Sequence, residues 1–145
     1  LSMSAEKYNQ SKNTDIRCNE LAVTDYTGVA RFQSKSGLGS HISRDGDIEV
    51  KTINLDTYFS QLDEKPTFIS MDIEGEELRA LRGAQGIISV AKPDLAICVY
   101  HKPSHVWEAI NLLSEFVPEY KYSLRNYTGF AIETVLYASI KQGDL

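Results

Sequence analysis

The sequence predicts an α/β fold with a mixed, mainly parallel sheet. Three observations carry that expectation. Residues 67–84, TFISMDIEGEELRALRGA, read as strand, acidic turn and helix in immediate succession. Residues 94–100, DLAICVY, form a near-continuous apolar run, the pattern of a strand buried on both faces. Strand and helix signals alternate through the middle of the chain, which favours βα units with right-handed crossovers. A length of 145 residues suits one domain, and 42% hydrophobic residues is enough to build a core.

Taken in order, the first 15 residues are polar, with no apolar run of the kind a signal peptide carries. Residues 16–23, IRCNELAV, alternate weakly and read as a strand. A turn at Asp25-Tyr26-Thr27-Gly28 leads into a second strand over Val29–Phe32, so the two are expected to pair as a hairpin or bent ribbon. Residues 33–47, with Gly37, Gly39 and Gly46 among serines, read as a loop. Ile48–Ile53 is a partly exposed strand. A short helix follows from Asn54, with Asp56 as its candidate N-cap, and Asp63-Glu64-Lys65-Pro66 closes it. Lys92-Pro93 reads as a loop before the second buried strand. Ser104 or His105 opens a helix that runs to Phe116, with Val106, Trp107, Ile110 and Leu113 as its apolar face; Pro118 ends it. Tyr120–Arg125 and Thr134–Ile140 alternate and form a candidate antiparallel hairpin.

Composition narrows the function classes. A net charge of −5 argues against a non-specific nucleic-acid binder. No apolar stretch approaches the roughly 20 residues of a membrane span. Cys18 and Cys98 lie far apart, with no metal-ligand spacing. They suit a reducing compartment, so a cytoplasmic location is expected, and Cys98 reads as a small core residue. The chemistry points to one place. In open α/β sheets ligands sit beyond the carboxyl ends of the strands, where Asp72, Glu74 and His101 fall. Carboxylates there can accept a proton or hold a cation, and an imidazole titrates near physiological pH. Asp72 and Glu74 are equally the acids of a helix start, and His101 can cap the helix after Lys102-Pro103. Gly75 fits a tight turn. No spacing code marks a metal site, so none is expected.

These same residues resemble a known family. Residues 71–84 (MDIEGEELRALRGA), 52–59 (TINLDTYF) and 21–32 (LAVTDYTGVARF) resemble the FkbM-type methyltransferases. So do Tyr100-His101, Trp107-Glu108, residues 122–127 (YSLRNY) and 133–138 (ETVLYA). The resemblance spans residues 16–140. It implies a Rossmann-like, class I methyltransferase fold that uses S-adenosylmethionine to methylate a hydroxyl of a sugar or natural-product-like acceptor. The family's Gly-rich turn and ribose-binding acid do not occur here, and Gly37-Leu38-Gly39 follows no buried strand. By this resemblance the chain is expected to correspond to the C-terminal part of that domain, from about its third strand onward. An exposed sheet edge is then expected, open to a second copy.

The resemblance implies that Asp72 stands near the donor methyl and the acceptor oxygen. Asp72, Glu74 and His101 are its candidate catalytic residues, and Asp25 and Asp72 its candidate cofactor contacts. Asp25 is also an ordinary turn acid. Arg125 and Tyr127 are candidate acceptor contacts, Glu133 is a candidate partner for Arg125, and Trp107 is most simply core packing. Two other readings stand beside this one: a non-catalytic binding or assembly module, and a metal-assisted hydrolase built on Asp72, Glu74 and His101.

Overall fold

The computed structural model describes residues 15–33, 41–43, 45–129 and 132–141. The polar stretch before residue 15 and Gly37-Leu38-Gly39 lie outside the described residues. Strands β1 (Ala22–Val23), β2 (Gly28–Gln33), β3 (His41–Ile42) and β4 (Ile48–Ile53) form one sheet in the order β1-β4-β2-β3. Strands β5 (Phe68–Met71), β6 (Asp94–Cys98), β7 (Lys121–Asn126) and β8 (Thr134–Ser139) form a second, ordered β5-β6-β8-β7. The helices are α1 (Leu55–Ser60), α2 (Glu77–Arg82), α3 (Gln85–Ala91) and α4 (His105–Phe116).

Pairing departs from the expected mainly parallel sheet. Only β1–β4 and β5–β6 are parallel; β2–β3, β2–β4, β6–β8 and β7–β8 are antiparallel. A parallel neighbour needs a long crossover, and α2 and α3 supply one between β5 and β6. The β6–β7 connection runs through α4, but it delivers β7 to the far side of β8, with which β7 pairs antiparallel. Nor do β1 and β2 form a hairpin. They take opposite edges of β4, with Ala22 and Gly28 both opposite Thr52.

Three local expectations are corrected. Asn54, not Asp56, caps α1: it holds extended backbone (φ −91°, ψ 149°) and accepts a 2.7 Å bond from Thr57 N–H. Asp56 lies inside α1 and instead accepts from Gly86 N–H (2.9 Å) and Ile87 N–H (2.7 Å), satisfying the first orphan donors of α3. Trp107 is 56% exposed, because the buried stripe of α4 runs through His105, Ala109 and Leu113. Cys98 is half-buried at the end of β6, not in the core.

The core lies on the second sheet. Leu95, Ala96 and Ile97 are buried consecutively on β6, as a strand covered on both faces requires. Leu95 and Ile97 join Leu81 of α2, Ile88 of α3, Leu113 of α4 and Leu136 of β8, all fully buried. The outer edge of β5 has no strand partner among the described residues, and Phe68 there is 57% exposed. Among the described residues no helix is long and apolar enough to cross a membrane. This packing fixes β5 and β6 side by side and in the same direction, with Met71 opposite Ile97. Their carboxyl ends open at one place.

Candidate functional site

Asp72 follows β5 directly, and His101 lies three residues beyond β6. Parallel register brings them together: His101 Nε2 is 3.7 Å from Asp72 Oδ1. Glu74 completes the rim, with Oε2 3.3 Å from the same nitrogen. Its backbone is left-handed (φ 57°), and Gly75 follows at φ 95°. A left-handed non-glycine residue is strained by about 1–2 kcal/mol, and such strain clusters at sites of function. Here the strained turn directs the Glu74 carboxylate at the imidazole.

Beneath the rim lies Glu77, a residue not anticipated as part of the site. Its side chain is 0% exposed. Oε1 accepts from Ile73 N–H (3.0 Å) and Gly75 N–H (3.2 Å), closing the turn. The same oxygen lies 3.1 Å from His101 Nδ1, and Oε2 lies 3.4 Å from His105 Nδ1. Burial lowers the pKa of His105 below its ordinary value, although Glu77 pulls the other way. The sequence signal for Glu77 was only its place in the first helical turn after two carboxylates.

Tyr100 and Cys98 crowd the other side of Asp72. The Tyr100 hydroxyl donates to Asp72 Oδ1 at 3.1 Å, and its ring stacks on His101 with centroids 4.1 Å apart. Burial and the Asp72 charge push the Tyr100 hydroxyl up to about 12 and the Cys98 thiol up to about 11. Both therefore stay protonated donors beside a carboxylate at neutral pH.

Asp25 is placed elsewhere. Its carboxylate takes both prongs of Arg79, at 2.7 and 3.2 Å, and the guanidinium holds it below the usual carboxylate range. Arg79 also meets Glu76 at 3.2 Å, and lies 5.5 Å from the centroid of the Tyr26 ring. The network ties the β1–β2 bend to α2. At the β7–β8 turn the Tyr127 and Tyr137 hydroxyls are 2.7 Å apart, and Arg125 lies 5.9 Å from the Tyr137 ring centroid. That turn follows the carboxyl end of β6, where Val99 N–H donates to Thr134 C=O at 2.9 Å.

A cavity of about 1160 Å³ opens between the first sheet and the turn that follows β5. Val23, Val50 and Ile73 give it apolar wall; Asp72, Glu74 and Glu76 give it carboxylates. Asp72 and Glu74 thus face the cavity on one side and His101 on the other.

Residues 3–124 match the family described as the methyltransferase FkbM domain. The chain belongs to this family. A solved structure of methyltransferase FkbM from Methylobacillus flagellatus KT is similar, with a TM-score of 0.74 and 28% identity. The similarity covers 94% of this chain and 32% of that one, so the chain spans about a third of that FkbM protein's length. No curated protein matches. Of the stretches quoted above, residues 71–84 hold Asp72, Glu74 and Glu77 and residues 100–101 hold Tyr100 and His101, which the fold gathers; Asp25 and Trp107 lie elsewhere.

Proposed function

We propose that this FkbM-family protein transfers a methyl group from S-adenosylmethionine to a hydroxyl of a sugar or natural-product-like acceptor, on a Rossmann-like class I fold. The observation that carries the reading is the meeting of Asp72, Glu74 and His101 at the carboxyl ends of two parallel strands, beside a cavity.

The cavity suits the cofactor in kind. About 1160 Å³ is roomy for a nucleoside-sized ligand, apolar walls suit a flat ring, and carboxylates suit a cationic centre. Val23 and Ile73 are the residues for the ring, and Asp72 is the residue for the charged end. When bound, S-adenosylmethionine supplies an electrophilic methyl. The protein's own task is then to hold the acceptor oxygen in line and remove its proton. Positioning of this kind supplies several kcal/mol of a displacement barrier, up to about 10 kcal/mol in the best intramolecular cases. Tyr100 anchors Asp72, and Glu77 lies against the far side of the His101 ring, so the acceptor meets a fixed rim. The hydroxyl proton passes to that rim, where two carboxylates lie within 3.7 Å of one imidazole nitrogen. Asp25 enters this reading as the weaker cofactor contact, through the bend it shares with Arg79.

Calorimetric titration of the chain with S-adenosylmethionine tests the reading. Saturable binding that Asp72→Asn weakens is the expected result. Absence of heat and of thermal shift overturns it in favour of a non-catalytic binding module.

A further inference from the structure

Among the described residues, six buried side-chain atoms make no hydrogen bond, and four of them meet in one place: Glu77 Oε2, both nitrogens of His101 and Nδ1 of His105. Buried polar atoms are normally paired, so four orphans together call for a cause. The placement of protons supplies one. A neutral imidazole carries a single N–H, on either nitrogen, and the partner it meets decides which. His101 Nδ1 faces Glu77 Oε1 at 3.1 Å. Nε2 of the same ring faces Glu74 Oε2 at 3.3 Å and Asp72 Oδ1 at 3.7 Å.

The two ends of the ring do not compete equally. The Glu77 side chain is 0% exposed and out of reach of water, whereas Glu74 and Asp72 are 45% and 57% exposed and are solvated. A buried acceptor left without a donor loses far more than an exposed one, so Glu77 claims the His101 proton. A carboxylate offers about four acceptor sites, of which the amides of Ile73 and Gly75 use two. The group facing Oε2 is His105 Nδ1, at 3.4 Å. Burial favours the neutral form of that ring, so it too has one N–H to place. Small rotations of the two rings align both N–H groups with Glu77. The Tyr100 ring, stacked with its centroid 4.1 Å from that of His101, keeps the imidazole in place.

We propose that Glu77 is a positioning residue: it takes the Nδ1 proton of His101 on one oxygen and that of His105 on the other, and so leaves the Nε2 lone pair of His101 facing Glu74. That lone pair and the Glu74 carboxylate lie across a 3.3 Å gap that one proton closes. Nε2 is buried behind the rim, so Glu74 is the group that touches an acceptor hydroxyl and His101 stands behind it. In the methyl-transfer reading, on which this step rests, the hydroxyl O–H bond breaks and its proton passes to Glu74, to be shared with Nε2. The oxygen's electron pair takes the methyl of S-adenosylmethionine, whose bond to sulfur breaks with its pair left on sulfur. The imidazolium that forms is held by the buried charge of Glu77. The proton placement itself does not depend on that reading.

The test is spectroscopic. The chain carrying ¹⁵N-labelled histidine, without cofactor or acceptor, is held at about pH 8, above the ordinary imidazole value of about 6.5. Long-range ¹H–¹⁵N correlations then tell an Nδ1–H ring from an Nε2–H ring and from a doubly protonated one. His101→Gln and His105→Gln assign the signals against His41. The Nδ1–H form is expected for both His101 and His105. An Nε2–H or doubly protonated His101 in the wild-type chain overturns the proposal, and this spectrum decides it even where a variant fails to fold. In folded Glu77→Gln the His101 tautomer ratio should move at least about tenfold toward Nε2–H, the difference between a charged and a neutral acceptor; an unchanged ratio also overturns it. Failure here leaves the methyl-transfer reading standing, because that reading is decided by the titration with S-adenosylmethionine.

Discussion

Replacing Glu77 by alanine tests how the site is held together. The carboxylate is the acceptor for Ile73 N–H and Gly75 N–H, and it faces a nitrogen of both His101 and His105. Alanine leaves two amide donors without partners, at about 1–3 kcal/mol each. Two imidazoles also lose the oxygen they face. Removing a buried charge returns part of this. The balance predicts a loss of about 3–4 kcal/mol, a large share of the roughly 5–15 kcal/mol that holds a domain folded. Glu77→Gln keeps an acceptor for the turn and loses only the charge, so about 1–2 kcal/mol is expected. Urea unfolding of the three proteins, compared at constant slope, gives both numbers. A loss under about 1 kcal/mol for Glu77→Ala would refute the argument that this side chain organises the turn.

Other outcomes follow from single contacts. Gly75→Ala should cost about 1–2 kcal/mol from its φ of 95° alone, since a Cβ there meets His101 Cβ at an ordinary 3.7 Å; a neutral result in thermal melts would contradict this. With its thiol pushed up to about 11, Cys98 should be about one part in a thousand thiolate at pH 8 and react slowly with a disulfide reagent, while exposed Cys18 reacts fast; equal rates would contradict the placement. The Asp25–Arg79 pair should stabilise by about 0.5–1 kcal/mol, discounted because both side chains are more than a third exposed. Asp25 has a lowered folded pKa, so that contribution is present above the unfolded value of about 3.9 and is lost as pH falls through the folded value. Asp25→Asn should therefore match wild type in the most acid buffers yet be weaker at pH 7, and a pH-independent difference would contradict the assignment.

The sequence reveals the second sheet better than the first. The near-continuous apolar run at β6 and the short apolar run at β5 leave little choice of partner, and the resulting parallel register brings Asp72 to His101. Strand order in the first sheet depends on long-range pairing across Thr52, which no local pattern encodes. Helix α3 was equally hidden. Gly86 and the β-branched Ile87, Ile88 and Val90 have modest helix propensity, and its cap comes from Asp56, thirty residues upstream of Gly86. Within the site, the rim was legible because it ends two strands. Glu77 was not, because a first-turn glutamate normally points to solvent, and only the strained Glu74-Gly75 turn folds amides back onto it.

The most direct test follows labelled methyl from S-adenosylmethionine onto polyhydroxylated acceptors, comparing wild type with Asp72→Asn and His101→Gln. The account predicts transfer by wild type and a loss of about a hundredfold or more in kcat for each variant that remains folded. Transfer at the wild-type rate by both folded variants would contradict it.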